Sequence, residues 1–257
     1  MQRSLGGLVL LVAGGLMALA VGSFWMERVA FSPDPDADVA LAILGDEEIR
    51  LSVASVIAGA DAEALGMSPN VLRTQVADDV ARIRAGAFEM RAITTAAHAR
   101  LIGERDEPVM ISPAEQVQIT RTERAAVLPA IAVPVERSAV LAWTSTINSW
   151  TWLVAGGLAL LLTLAGVVLR PERGEASFAL ACGLAGTGAS LLLFGYLIPA
   201  FVLPTAGDDV WVGAVARLAD FHRSNTLIAA AVFVVLGGAL VLVTGSRRQR
   251  RQRGIAK

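Results

Sequence analysis

The sequence predicts a membrane α-helical protein: four transmembrane helices plus a small, mostly helical α+β extracytoplasmic domain between the first two. Three observations predict it. About twenty uncharged, mostly apolar residues from Trp150 to Leu169 rise about 30 Å as a helix, the thickness of a bilayer's hydrocarbon core. Three further runs of similar character occupy the two ends of the chain, and the only long polar stretch lies between the first run and Trp150. The 257 residues are 54% hydrophobic, with a mean hydropathy of +0.58 that exceeds soluble usage. Net charge is −1, so no global basic field argues for nucleic acid.

Residues 1–26 form the first span. Arg3 and the small residues Ala18 and Ala20 resemble a signal peptide, the alternative reading. The apolar run continues past them through Phe24 to Trp25, long enough for an uncleaved anchor with a tryptophan at the interface. Gly7 and Gly14, and Gly15 and Gly22, recur every seventh residue, a spacing for close helix approach or simply small-residue usage.

Residues 27–148 form the polar domain, with 18 acidic against 11 basic residues from Glu27 to Ser149, a balance of −7. That excludes a polyanion-binding surface. Asp34, Asp36 and Asp38 have the spacing of a calcium loop, but Val39 and Gly45 stand where its glycine and glutamate belong, so a solvated linker is the better account. Asp46 caps a helix to about Ala60 with Ile49, Val53, Val56 and Ile57 on one face. Ser68-Pro69 starts a long helix with Leu72, Val76, Val80 and Ile83 inward; Gly86 interrupts it or lies within it, and Gly103 ends it. Pro108 to Ile111 is a short strand. A capping box at Ser112, Pro113 and Glu115 then opens a helix to about Val127, and Ala130 to Val133 is a second strand. From Glu136 the chain runs helically into the second span, coupling domain and membrane.

The second span, 149–170, begins at Trp150 and Trp152, whose indoles favour headgroups, and ends at Arg170. The loop at 171–176 carries Arg173, so this end is cytoplasmic and both termini follow it there. The third span is 177–203. The loop at 204–224 sets Trp211, Val215, Leu218 and Phe221 on one face of a helix capped by Asp208 or Asp209, read as lying in the outer interface. The fourth span is 225–245, and the tail 246–257 bears Arg247, Arg248, Arg250 and Arg251, again a cytoplasmic marker. Trp25, Trp150, Trp152 and Trp211 thus serve as interface anchors in the plasma membrane, with lipid as the surrounding partner.

No Asp, Glu, Lys, Arg or His interrupts the four apolar runs, which disfavours a self-contained transporter. Cys182 is alone, so no intramolecular disulfide forms. His98 lacks a second His or Cys at ligand spacing and reads as packing. Asp208, Asp209, Asp220, His222 and Arg223 make the least ordinary polar cluster, usable by an enzyme of lipid-linked substrates but equally explained as caps and anchors. No hydrolase, metalloprotease or nucleotide fingerprint occurs, so neither catalytic residue, metal nor cofactor is expected.

The helix AFEMRAITTAAHARLIG, the proline-framed LPAIAVPVERSAVLAW and the Trp-led span ending in RPER follow one another in a layout that resembles four-pass integral membrane proteins of actinobacteria. The resemblance covers most of the chain and implies a cell-envelope setting without an activity or site residues. By topology alone the chain is also similar to permease subunits of mechanotransmitting ABC systems, although MQRS is too short for their cytoplasmic helix. The expected function is a non-enzymatic envelope protein whose domain binds a protein partner, a second copy or an envelope component.

Overall fold

The computed structural model describes residues 5–32, 37–82, 84–169, 171 and 173–255; the side chains at 37, 81–89, 173 and 244–255 also lie outside the described set. Four helices are long and apolar enough to cross a membrane, Leu5–Phe31, Ala139–Val168, Gly174–Thr205 and Arg223–Val243, which makes this a multi-pass membrane protein by length and composition. The chain divides into two compact units.

The apolar unit comprises residues 1–27, 146–198 and 222–257. It contains α1 (Leu5–Met26), most of α7 (Ala139–Val168), α8 (Arg173–Leu192) and α10 (Arg223–Ile255). Helix α8 packs against both α1 and α10. Small residues permit it: a Cβ on Gly14 would stand 3.2 Å from the Gly183 Cα, and one on Gly237 2.8 Å from the Ala181 carbonyl oxygen. Helix α7 meets α1 through Gly166 against Leu10 and through Phe24, edge-on to Trp152 at 5.6 Å. Leu160, Leu161 and Leu164 of α7 and Val235 and Leu242 of α10 stay exposed, as lipid-facing residues do. The third candidate span starts earlier than 177 and leaves α geometry at Leu193, where a π-wound segment runs to Val202 around Pro199, which has no N–H to give the ladder. Helix α10 does not stop at 245 but continues through the basic segment.

The polar unit comprises residues 28–145 and 199–221. Its helices are α2 (Ala37–Leu44), α3 (Glu47–Leu65), α4 (Pro69–Arg82), α5 (Arg84–Leu101), α6 (Pro113–Thr120) and α9 (Gly213–Phe221). The β content is one antiparallel ladder of β1 (Val109–Ile111) and β2 (Ile131–Val133), with Met110 opposite Ala132. Ile43, Ile49, Ile57, Leu72, Ile93 and Leu101 are buried in the core.

Local signals act as the sequence requires. Asp46 accepts from the Glu48 and Ile49 amides at the start of α3, and Ser112 and Glu115 complete a reciprocal capping box. Gly103, at φ +80, turns the chain after α5 where any Cβ would strike the Arg137 side chain and Ala142.

Several expectations are corrected. Helix α3 runs past Ala60 to Leu65, ending at Gly66 with φ +71. Gly86 does not interrupt a helix but lies inside α5. Helix α6 stops at Thr120 because Arg121 adopts φ 57; a 3-10 turn, Glu123–Val127, follows, and the chain returns to β2. Buried Gln116 holds that return by donating to the Ile111 and Pro129 carbonyls.

The main correction concerns 204–224. This segment is not an interfacial loop: Trp211, 1% exposed, and Val215 and Leu218, both 0% exposed, are core residues of the polar unit. Helix α9 packs on α2, and the 3-10 turn Val210–Val212 packs on α3 and α5. An amphipathic stripe satisfies its apolar face equally against lipid or protein, and here protein takes it. Trp211 is therefore no lipid anchor, while Phe221 remains exposed.

Candidate functional site

A recess of the polar unit lies where its two chain segments meet, about 620 Å3 lined by residues 134 and 136–140, by 206–210 and Val212, and by Ser52 of α3. Asp209 builds the junction. One carboxylate oxygen accepts from the Trp211 amide at 2.9 Å, and the other accepts from the Glu136 amide at 2.8 Å. Ser138 donates to the Ala206 carbonyl at 3.4 Å, and its oxygen accepts from the Leu141 amide at 3.3 Å, capping the start of α7. A second junction lies at Asp46, whose free carboxylate oxygen accepts from Arg217 Nε at 3.1 Å, tying α9 to the cap of α3. Each aspartate thus serves two segments at once.

Exposed Glu136 and Asp208 sit among the lining residues, and Arg137 is 3.6 Å from Asp106 across an exposed pair. Acceptors exceed cations in the recess. It suits a segment that brings hydrogen-bond donors or positive charge.

Two buried titratable groups lie elsewhere in this unit. His98 is 4% exposed. Burial lowers its pKa to about 4, with the backbone at Ala30 and Phe31 opposing weakly. Asp61 is 1% exposed with Oδ2 unpartnered, and burial raises its pKa. Among the described residues no group of three His, Cys, Asp or Glu is placed to hold a metal ion.

Known protein families, characterised proteins and solved structures yield no match to this chain. Its site is therefore described by its own residues. Of the polar cluster read from sequence, Asp208 is exposed and Asp209 is a structural cap. Asp220 lies in the last turn of α9, exposed, and half-buried His222 follows it. Arg223 opens α10 and stacks over the Tyr196 ring at 5.5 Å. Trp25 is more than an anchor: its indole N–H donates to Thr226 at 2.8 Å, joining α1 to α10. Trp150 is 66% exposed, as a lipid-facing indole would be, and Trp152 is half-buried against Phe24. Arg170 and the side chains of Arg173, Arg247, Arg248, Arg250 and Arg251 lie outside the described residues, as do Asp34, Asp36 and Ile83.

Sequence reasoning missed three features. Asp61 continues the buried stripe of Ala54, Ile57 and Ala58, so extending that periodicity past Ala60 would have found it. Glu27 accepts from Asn148 Nδ2 at 2.7 Å and from Ser149 at 3.1 Å, and Asn148 also donates to the Ser23 carbonyl. That clasp joins the end of α1 to α7 in the apolar unit, and only proximity across 121 residues reveals it. The Asp46–Arg217 pair is equally remote in sequence.

Proposed function

We propose that this chain is a non-enzymatic protein of the cell envelope, seated in the plasma membrane with both termini cytoplasmic, whose polar domain lies outside and binds a protein or envelope component. The observation that carries the reading is the recess at the junction of 134–140 with 206–212: an open, acceptor-rich surface built from two segments separated by two candidate spans. Tryptophans at the outer ends of the first two spans and Arg170, Arg173, Arg247 and Arg248 at the opposite ends support the orientation, and the layout shared with actinobacterial four-pass proteins supports the setting.

The test is photocrosslinking in intact cells from a benzophenone residue at Asp208 or Val140. A discrete crosslinked protein or a second copy is expected. Crosslinks confined to lipid, or none above a control site at Val71, would overturn it. Orientation is tested on a Cys182→Ser background: a membrane-impermeant maleimide should label Asp208→Cys in spheroplasts but not Gly254→Cys.

A second reading has one observation in its favour. Helix α7 is uninterrupted over 30 residues, as a mechanotransmitting permease subunit would need. Recovery of an ATPase with the purified protein would support it. Alanine at His222, which is not among the residues lining the recess, should leave function intact, and complete loss would instead indicate an enzyme of lipid-linked substrates.

A further inference from the structure

Two exposed acidic residues line the recess from different segments, Glu136 ahead of α7 and Asp208 ahead of the Val210–Val212 turn. They rise from backbones held side by side. The Glu136 amide donates to the Asp209 carboxylate at 2.8 Å, and Asp208 is the chain neighbour of Asp209, one Cα step of about 3.8 Å away. Arg137 also lines the recess, but its guanidinium is 3.6 Å from Asp106, which does not. The lining therefore keeps an unbalanced negative charge. The polar unit as a whole carries 20 acidic against 12 basic residues, a balance of −8, and a field of that sign draws cations in and turns anions away.

Beside the acids the lining is apolar. Ala139 and Val140 contribute from one segment and Ala206 and Val210 from the other, with Val140 51% and Val210 37% exposed. A wholly apolar occupant would cover both carboxylates without giving them a partner, which costs each its hydration. A bare metal ion does not fit either: both Asp209 carboxylate oxygens accept from backbone amides, and among the described residues no three of His, Cys, Asp or Glu converge on one point. What matches acids on two segments beside an apolar lining is a cationic head with its own directional N–H donors, carried on a methylene stem that lies against apolar surface.

We propose that the recess docks a segment of a partner protein through an arginine or lysine side chain, its head on Glu136 and Asp208 and its stem on Val140 and Val210. The inference rests on the recess being the binding surface, as in the function proposed above, and adds the charge of what it binds.

The test uses the full chain in nanodiscs of neutral phosphatidylcholine, with a displayed library of random decapeptides as the probe. Enriched peptides should carry arginine or lysine at a shared position, several-fold above its frequency in the library. Glu136→Gln with Asp208→Asn, which exchanges exposed carboxylates for isosteric amides, should weaken them about fivefold. Glu63→Gln with Glu123→Gln removes the same charge from exposed positions outside the lining and should leave them bound. No enrichment, enriched peptides without a shared cation, binding unchanged in the first pair, or equal losses in both pairs would each overturn the proposal. Photocrosslinking from Val140 in cells separates it from the reading beneath it: a partner still captured by the Glu136→Gln, Asp208→Asn chain leaves the binding surface standing and sinks the cationic contact, whereas no capture by the unaltered chain sinks the surface itself.

Discussion

Acid should weaken the polar domain through His98. The ring is buried and neutral, with its pKa lowered from 6.5 to about 4, whereas in the unfolded chain it titrates near 6.5. Between those values the unfolded state binds the proton and the folded state does not, so stability falls as pH drops from about 6.5 towards 4 and the loss is complete below that. The full loss is about 3 kcal/mol, and the part between pH 7.5 and 5.0 is about 2 kcal/mol. With a urea dependence of about 2 kcal/mol per molar, the midpoint should move by about 1 M. The assay is urea unfolding of the full chain in nanodiscs at both pH values, read by the fluorescence of the tryptophans, Trp211 being 1% exposed. His98→Phe keeps an apolar ring in place and has nothing to titrate, so its midpoint should move about 1 M less than that of the unaltered chain. Other groups titrate in both proteins and cancel in the difference. An equal movement in both would refute the buried neutral imidazole as the cause.

Asp61 should act with the opposite sign. Its carboxyl is raised by burial, so it destabilises as pH rises through the shifted value, and Asp61→Asn should raise the unfolding midpoint at pH 7.5 with a gain that fades on acidification, read by the same titration. Asp209→Ala removes a cap and the bond from the Glu136 amide; it should cost about 1–2 kcal/mol, seen as faster hydrogen exchange at 206–212 and at Glu136. Asn148→Leu strips the buried donor from Glu27 and should cost about 1–3 kcal/mol, measured as a lower melting temperature in nanodiscs. Gly183→Leu must push α8 away from Gly14 and should lower the melting temperature, whereas Gly15→Leu, with open space around it, should be nearly neutral.

How far the sequence alone reached depends on the range of the interactions involved. Spanning helices were legible because length and apolar content are properties of a single segment, and the lipid that must cover them does not depend on the rest of the fold. Asp46, Ser112 with Glu115, and Gly103 were legible for the same reason: a cap or a left-handed turn satisfies backbone groups only a few residues away. Helix ends were less secure. Arg121 terminates α6 against its local signals because Gln116 and Pro129 must meet.

What tertiary structure alone decided is which apolar face meets which surface. The stripe of Trp211, Val215 and Leu218 has the same periodicity whether it lies on lipid or in a core, and only its return to α2, α3 and α5 settles the matter. Gly14 and Gly15 are adjacent and chemically identical, yet one is pressed against Gly183 and the other touches nothing. The burial of His98 and Asp61 and the clasp at Glu27 are likewise set by residues distant in the chain. Periodicity shows that a face will be covered; the covering surface is chosen by contacts whose partners no local pattern names.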